Sequence, residues 1–165
     1  MLARLLQPEA KFVKPVLTLL CHHKWTMFDV ALSSAGAHIA LATSSDEKHP
    51  PENMIDGKAE TFWSTTGMFP QEVVIRFQTM MKITNVHICS YNIRKLKLEA
   101  SEMDESTKYD TIAETEIDET DSQLQQEEIQ LGEKRAYSLR LVIESGYDHF
   151  VSVHKVVVSG QAVHQ

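Results

Sequence analysis

Residues 53–61 form an oxygen-rich segment whose side chains are of the types that bind a hard metal ion. Asp56 supplies a carboxylate, Thr61 a hydroxyl and a carbonyl, and Asn53 a carbonyl. Calcium takes about six to eight oxygen ligands at roughly 2.3–2.6 Å, and a tight loop provides several of them together. Gly57 permits the sharp bend that such a loop needs. Spacing alone favours a plain Asp56-Gly57 turn, so a metal site needs support from further features.

Side chains that could catalyse a reaction are scattered along the chain. The eight histidines form no H-x-x-x-H pair, and no serine lies in a G-x-S-x-G element. Asp148-His149 is predicted to lie in a turn beside a strand end. Cys21 and Cys89 are too far apart in the sequence to indicate a disulfide scaffold or a zinc site, and they favour a reducing compartment. We therefore expect a binding module and not an enzyme.

Composition argues against two further classes of function. The 165 residues carry a formal net charge of −7, whereas nucleic-acid-binding surfaces are usually basic. No run approaches the roughly 20 apolar residues that a membrane-spanning helix needs. Residues 99–121 contain ten acidic residues and one basic residue, and we interpret them as a solvated strand and loop region.

Short strands are the elements that must position the 53–61 segment. Apolar and β-branched residues recur in short runs between polar turns, with no long period of 3.6 residues. Residues 51–55 give one helical turn at most, and Phe62-Trp63 begins a strand that buries at least one ring under the loop. We expect an all-β fold, a jelly-roll β-sandwich. The predicted strands lie around residues 28–32, 38–43, 73–77, 83–91, 96–98, 124–131, 137–143 and 150–158.

The first 26 residues differ from the rest of the chain in charge. They contain four basic residues and one acidic residue, which leaves 12 basic and 22 acidic residues, a formal charge of −10, for the remainder. We therefore expect two parts. Residues 1–26 are predicted to be an N-terminal extension, either disordered or an artefact of a gene model that truly starts at Met27. Residues 27–165 are predicted to form the β-sandwich domain.

The run N-M-I-D-G-K-A-E-T-F-W, residues 53–63, resembles the N-x-x-D-G-x-x-x-T-x-W element of galactose-binding-like (discoidin-type) β-sandwiches. This resemblance implies a jelly-roll sandwich with a calcium ion near one end. The implied ligands are Asn53, Asp56 and Thr61, with further backbone oxygens from the same loop. Related sandwiches often add a glutamate from the last strand, where this chain has Ser159, so a structural site or one of modest affinity is expected.

A longer run is more specific. Residues 42–72, together with residues 31–34, 123–129 and 147–154, are similar to a family of intraflagellar transport subunits, and the resemblance covers about residues 27–163. It implies a non-catalytic subunit of the ciliary transport complex B, located in the cilium and the cytoplasm. The implied partners are a Rab-like small GTPase, intraflagellar transport protein 27, and other complex B subunits. The implied role is export of signalling proteins, including those of the Hedgehog pathway.

A carbohydrate-binding module is the alternative, because many sandwiches with this loop bind glycans at the same end. Such sites usually combine a polar group with an exposed aromatic platform. The candidate aromatic residues are Phe69, Tyr91 and Tyr147, and the sequence does not show whether they converge.

Overall fold

The computed structural model describes residues 28–105 and 107–164, and within those ranges it contains no α-helix. Two short 3-10 helices, Ser33–Ala35 and Pro51–Ile55, lie on either side of the first strand, so the predicted turn at residues 51–55 is confirmed. In this part of the chain, no helix is long and apolar enough to span a membrane. The strands are β1 His38–Ala42, β2 Trp63–Ser64, β3 Gln71–Tyr91, β4 Ile93–Ser101, β5 Asp110–Glu116, β6 Gln125–Gly146 and β7 Ser152–Ala162.

Two long strands, β3 and β6, run through both layers of the fold and so join the layers into a sandwich. They are 21 and 22 residues long and pair antiparallel, with register shifts between Arg76 and Met81 and between Ile83 and Asn85. Such irregularities bend a strand. The first half of β3 therefore lies between β1 and β6, and its second half lies between β7 and β6. Because the same two strands contribute to both layers, the all-β jelly-roll sandwich is confirmed.

The hydrophobic core lies between the two layers and is built from alternating strand residues. Ile75 and Leu139 enter it from the first layer, Ile88 and Val156 enter it from the second, and all four are buried. Burial of an aliphatic side chain of this size stabilises the fold by roughly 1.5–3 kcal/mol relative to exposure. Trp63 is fully buried in the same cluster, so the core extends directly to β2 and to the loop that precedes it.

The segment before β1 departs from the predicted strands. The sequence predicts a strand over residues 28–32, but there only Asp29 pairs, in an isolated bridge with Ser159 of β7. The Asp29 carboxylate accepts a local backbone N–H bond from Ala31 and a long-range one from Val158 of β7, each 3.0 Å long. A local side-chain bond of the first kind competes with a strand ladder. Burial raises the pKa of the Asp29 carboxyl, although these two bonds act in the opposite direction. The extension predicted at residues 1–26 lies outside the described residues.

The acidic region, residues 99–121, is largely the solvated strand and loop that the sequence predicts. Its strand, β5, is mostly exposed and pairs with β4. Among the acidic residues whose burial the structure describes here, Glu99 is the buried one, and it binds Arg140, with 2.6 Å between Oε2 and Nε. The Arg140 guanidinium also lies 4.4 Å from the centroid of the Tyr109 ring. A buried carboxylate needs a partner of this kind, and nothing in the local composition identifies Glu99 as the residue that has one.

Candidate functional site

The three residues that the sequence singles out as calcium ligands come together in one loop, the 53–61 loop, which precedes β2. The Thr61 hydroxyl oxygen lies 2.7 Å from Asp56 Oδ2 and 3.3 Å from the Asn53 carbonyl oxygen. The Asn53 side chain has another role, since its Nδ2 donates to the Phe62 carbonyl at 3.0 Å. The converging oxygens are therefore a carboxylate, a hydroxyl and a backbone carbonyl.

The backbone at Gly57 gives the 53–61 loop its shape. Its φ of 77° lies in the left-handed region, and a Cβ at this position would also lie 3.3 Å from Leu32 Cδ2. Asp56 Oδ1 accepts the Lys58 backbone N–H at 2.8 Å and so closes a tight turn. One oxygen of Asp56 fixes the turn and the other meets Thr61, so the turn and the ligand interpretations are compatible.

The donor set of the 53–61 loop fits calcium in spacing and in chemistry. Oxygens that share one calcium ion lie about 3 Å apart, because each is roughly 2.3–2.6 Å from the ion. The two oxygen–oxygen distances, 2.7 and 3.3 Å, are of this size, but they are also those of hydrogen bonds that the Thr61 hydroxyl donates, so the spacing alone does not select calcium. Across residues 28–105 and 107–164, no three His, Cys, Asp or Glu side chains gather as a metal site. An ion in this loop would rest on one carboxylate, that of Asp56, and on neutral oxygens such as those of Asn53 and Thr61.

Aromatic rings lie next to the 53–61 loop. Trp63 is fully buried, which confirms the prediction that Phe62-Trp63 buries at least one ring. Phe62 stacks on both His49 and His154, with ring centroids 4.0 and 4.9 Å apart. Burial lowers the pKa of His154, so the fold favours its neutral form.

Trp63 and Ser44 connect the 53–61 loop to a second feature. The Trp63 indole Nε1 donates to the Ser44 carbonyl at 3.1 Å, and the Ser44 hydroxyl accepts the Thr66 backbone N–H at 3.0 Å. Only four residues separate Thr61 from Thr66 along the chain. The segment that leaves the 53–61 loop therefore runs directly into the next loop of the same edge.

That second feature is an open cleft of about 860 Å³ between residues 65–69 and residues 146–150, here named the loop cleft. Its two loops are joined at their bases. The Thr65 backbone N–H donates to the Val151 carbonyl, and the Val151 N–H donates to the Thr65 hydroxyl, each at 3.0 Å. Phe69 packs against Gly146 so closely that a Cβ on that glycine would lie 2.8 Å from the ring.

Gln71, the first residue of β3, supports the loop cleft from inside. Its Oε1 accepts the hydroxyls of Thr43 and Ser44 at 2.8 and 2.7 Å. Its Nε2 donates to the carbonyls of Thr66 and Met68 at 3.2 and 2.6 Å. The Gln71 side chain is buried, so these four bonds fix one wall of the cleft.

Sequence reasoning finds only part of the loop cleft. Phe69 and Tyr147, two of the three candidate aromatic residues, line it, whereas Tyr91 is not among its lining residues. Tyr147 is held by its hydroxyl, which donates to a backbone carbonyl at 2.8 Å. Met68 and Phe150, 88% and 48% exposed, were missed as a pair. The sequence does contain one indication of this exposed site, the apolar pair Met68-Phe69 inside a turn-rich segment.

The fold defines the class of protein. Residues 39–156 match the model of the F5/8 type C domain, so the chain is a β-sandwich of this class. Its structure is similar to the family 32 carbohydrate-binding module of Clostridium perfringens NanJ in complex with galactose, with a TM-score of 0.68 and 16% identity over 82% of this chain and 98% of that one. It is also similar to chitosan-binding module 2 from Paenibacillus in complex with chitotriose, with a TM-score of 0.67 and 21% identity over 79% and 99%. At these identities the likeness shows the fold alone.

Relatives of higher identity define the family. The human protein named intraflagellar transport protein 25 homolog is 49% identical over 135 residues, which are 82% of this chain and 94% of that protein. Intraflagellar transport protein 25 of Chlamydomonas reinhardtii is 37% identical over 134 residues, which are 81% of this chain and 70% of that protein. The chain belongs to the intraflagellar transport protein 25 family.

Proposed function

We propose that this chain is a non-catalytic subunit of intraflagellar transport complex B, acting in the cilium and the cytoplasm. It pairs with a Rab-like small GTPase, intraflagellar transport protein 27, joins other complex B subunits, and supports ciliary export of Hedgehog-pathway signalling proteins. Family membership carries this proposal, because the alignment spans 94% of the human relative and is not confined to a shared module. The exposed apolar side chains at the loop cleft are consistent with a protein that works by binding.

Complex formation tests the pairing directly. The chain and the Rab-like GTPase are co-expressed, purified and run on size exclusion at micromolar concentration. We expect one species of the summed mass, because a stable protein interface buries roughly 1,000 Å² or more and survives such dilution. Elution of the two proteins as separate peaks, with both shown to be folded by circular dichroism, would contradict the proposed pairing.

We also propose that the 53–61 loop binds calcium through the Asn53 carbonyl oxygen, the Asp56 carboxylate and the Thr61 hydroxyl. The support is the convergence of these three oxygens at 2.7 and 3.3 Å. When bound, the ion would crosslink the two ends of the loop. It would also add stability in proportion to its occupancy, because it binds only the folded chain.

The experiment for calcium is a melting titration of the wild type and of Asp56→Ala. Calcium should raise the wild-type melting temperature, and the variant should lose that rise because its charged ligand is gone. Asp46→Ala is a matched control, since Asp46 also accepts backbone N–H bonds in a turn, at 2.9 and 3.1 Å, but lies outside the 53–61 loop. An equal calcium-dependent rise in Asp56→Ala and the wild type would count against the site.

Carbohydrate binding remains the alternative function, and the observation that favours it is the presence of Phe69 and Tyr147 in one cleft. Titration with galactose and with chitotriose, followed by calorimetry, separates the two functions. The transport proposal expects no saturable binding of either sugar. Saturation at micromolar sugar would favour a lectin-like function instead.

A further inference from the structure

We propose that β1, the strand His38–Ala42, is a self-association edge, at which a second copy of this chain adds its own β1 as an antiparallel strand. The inference is independent of the proposed function, because β1 contributes no residue to the loop cleft or to the 53–61 loop. It follows from three properties of β1: an open side, a sequence without acidic residues, lysine or arginine, and an exposed leucine.

One side of β1 is open. Among the residues that the structure describes, β1 pairs with β3 and with no other strand. The backbone hydrogen bonds of loops and turns in the same ranges involve none of residues 38–42. An antiparallel strand directs about half of its backbone N–H and C=O groups to each side. The open side of β1 is therefore a row of donors and acceptors on which another strand can pair.

The other strand edges in the described part of the chain are protected in ways that β1 is not. β2 has only two residues. β5 carries Asp110, Glu114 and Glu116, and the first half of β6, which pairs with β3 alone, carries Glu127 and Glu128. Natural sheets use short strands and charges of this kind to prevent exposed edges from pairing. The β1 sequence, His-Ile-Ala-Leu-Ala, contains no acidic residue, lysine, arginine or proline.

Leu41 adds an apolar side chain to the open edge. It is 49% exposed and lies opposite Val74 of β3. Ile39 packs against the core cluster, whereas Leu41 and Val74 do not belong to it, so these two lie on the outer face of their layer. The change of face comes from a bulge between Ile39 and Leu41, which leaves Ala40 without a partner on β3. A strand added beside β1 would cover Leu41.

Charge selects a second copy as the occupant. Residues 27–165 carry a formal charge of −10, so two copies repel each other wherever acidic surfaces meet. Two β5 strands would bring acidic side chains together, and like charges directly opposite destabilise a sheet. Two β1 strands meet with no acidic residue on either one. A two-fold axis through Leu41 sets this leucine opposite its own copy, which is a favourable apolar cross-strand pair.

The expected dimer is weak and depends on salt in a characteristic direction. A stable interface buries roughly 1,000 Å² or more, and two strands of five residues supply only part of that area. Self-association therefore needs a high protein concentration. Because the two copies have the same net charge, salt should strengthen the dimer by screening their repulsion. Association of oppositely charged surfaces would instead be weakened by salt.

The experiment is sedimentation velocity on the full chain alone, from about 10 μM to about 1 mM protein, at low and at high salt. We expect the average mass to rise towards that of a dimer, and to rise further at high salt. Leu41→Lys sets two like charges opposite each other and should weaken self-association about tenfold. Leu124→Lys is the matched control, because it makes the same substitution at a leucine that is 40% exposed and precedes β6, and it should associate like the wild type.

A backbone variant keeps the inference falsifiable if Leu41→Lys fails to fold. Ala40→Pro removes an N–H group at the bulged residue of β1, which has no partner on β3, and it should also weaken self-association. Each variant is used once its melting temperature matches that of the wild type. Hydrogen exchange gives a local measurement on the wild type. The amides of residues 38–42 should gain protection as the concentration rises, and those of residues 110–116 should not.

Three outcomes would overturn the inference. The first is a wild-type chain that stays monomeric at about 1 mM protein in high salt. The second is unchanged self-association in both folded β1 variants, and the third is protection that rises with concentration in β5 or at residues 65–69 but not in β1. The test is separate from that of the GTPase pairing, because it uses this chain alone. Failure of the GTPase to bind would contradict the proposed function and leave the self-association edge standing.

Discussion

The 53–61 loop and the loop cleft lie before and after the same short strand, β2, yet they are built in opposite ways. In the 53–61 loop the polar groups meet one another, since the Thr61 hydroxyl lies 2.7 Å from Asp56 Oδ2. In the loop cleft the backbone carbonyls of Thr66 and Met68 accept hydrogen bonds from the Gln71 side chain, while the side chains of Met68 and Phe150 remain exposed. The first arrangement is suited to holding an ion, and the second is suited to contact with another protein.

The difference teaches which kind of site a sequence motif can reveal. All three oxygens of the 53–61 loop come from one run of nine residues, so their spacing is legible in the sequence. The loop cleft joins residues 65–69 to residues 146–150, which only the folded chain brings together. Some variants should affect both regions and others only one of them. Together they test whether the 53–61 loop and the loop cleft are energetically independent.

The largest effect is expected from Trp63→Ala, which should damage both regions together. The indole is fully buried and its Nε1 donates to the Ser44 carbonyl, so the variant leaves a cavity and an unpaired carbonyl. We expect a loss of about 3–5 kcal/mol in the free energy of unfolding, measured by urea denaturation. A loss under about 1 kcal/mol would mean that neighbouring side chains fill the cavity. It would also mean that β2 does not stabilise both the 53–61 loop and the loop cleft.

An intermediate effect is expected from Gln71→Ala, which should separate the two regions. The substitution leaves the carbonyls of Thr66 and Met68 without their donor, at a cost of about 1–3 kcal/mol in stability. The calcium-dependent rise in melting temperature should persist, because the Gln71 side chain bonds to Thr43, Ser44, Thr66 and Met68, which all lie outside the 53–61 loop. Gln161→Ala, at an exposed glutamine of β7, is the matched control. Loss of the calcium response in Gln71→Ala would show that the two regions are coupled.

The smallest effect is expected in the dependence of melting temperature on pH. It is tested at two histidines, His154 beside the 53–61 loop and His149 at the loop cleft. Burial holds the folded-state pKa of His154 below its ordinary value of 6.5, so the folded chain binds fewer protons than the unfolded chain below that pH. This contribution to stability is complete above about pH 6.5 and is lost as the pH falls. The melting temperature of His154→Gln should therefore decline less between pH 7 and pH 5 than that of the wild type.

His149 provides the control for this pH measurement. His149→Gln makes the same substitution at the exposed rim of the loop cleft, away from the stacked rings, so the two variants are measured side by side. A decline of melting temperature in His154→Gln as steep as that of the wild type would mean that the stacked ring beside the 53–61 loop is not an acid-sensitive group.

Much of the fold is predictable from the sequence because its strands are locally patterned. Leu139, Leu141 and Ile143 alternate cleanly, and all three are buried in β6. Where the sequence predicts two strands, over residues 73–77 and 83–91, the structure has one strand, β3. The exposed polar residues between them read as a turn, but here they mark the bend at which the strand passes from one layer to the other.

The ends of the strands are less predictable than their centres, because the sequence does not show where the pairing of a strand stops. The sequence places Phe150 in the last predicted strand, but β7 begins at Ser152 and the Phe150 side chain lies at the rim of the cleft. The sequence places Leu124 in the strand before it, but β6 begins one residue later, at Gln125. In both places apolar character indicates burial, whereas the side chain is 48% and 40% exposed. Local pattern cannot show which apolar residue the layers leave uncovered.

The position of β7 has a consequence for how the protein is made. The last strand in the sequence pairs with β2 on one side and with β3 on the other, so it fills the middle of its layer. During synthesis, the second half of β3 has an open edge and the core lacks Val153, Val156 and Val158 until these residues leave the ribosome. This domain therefore completes its folding only after β7 has left the ribosome, and a chain that stops shortly before β7 presents the cell with an unpaired sheet edge rather than a smaller domain.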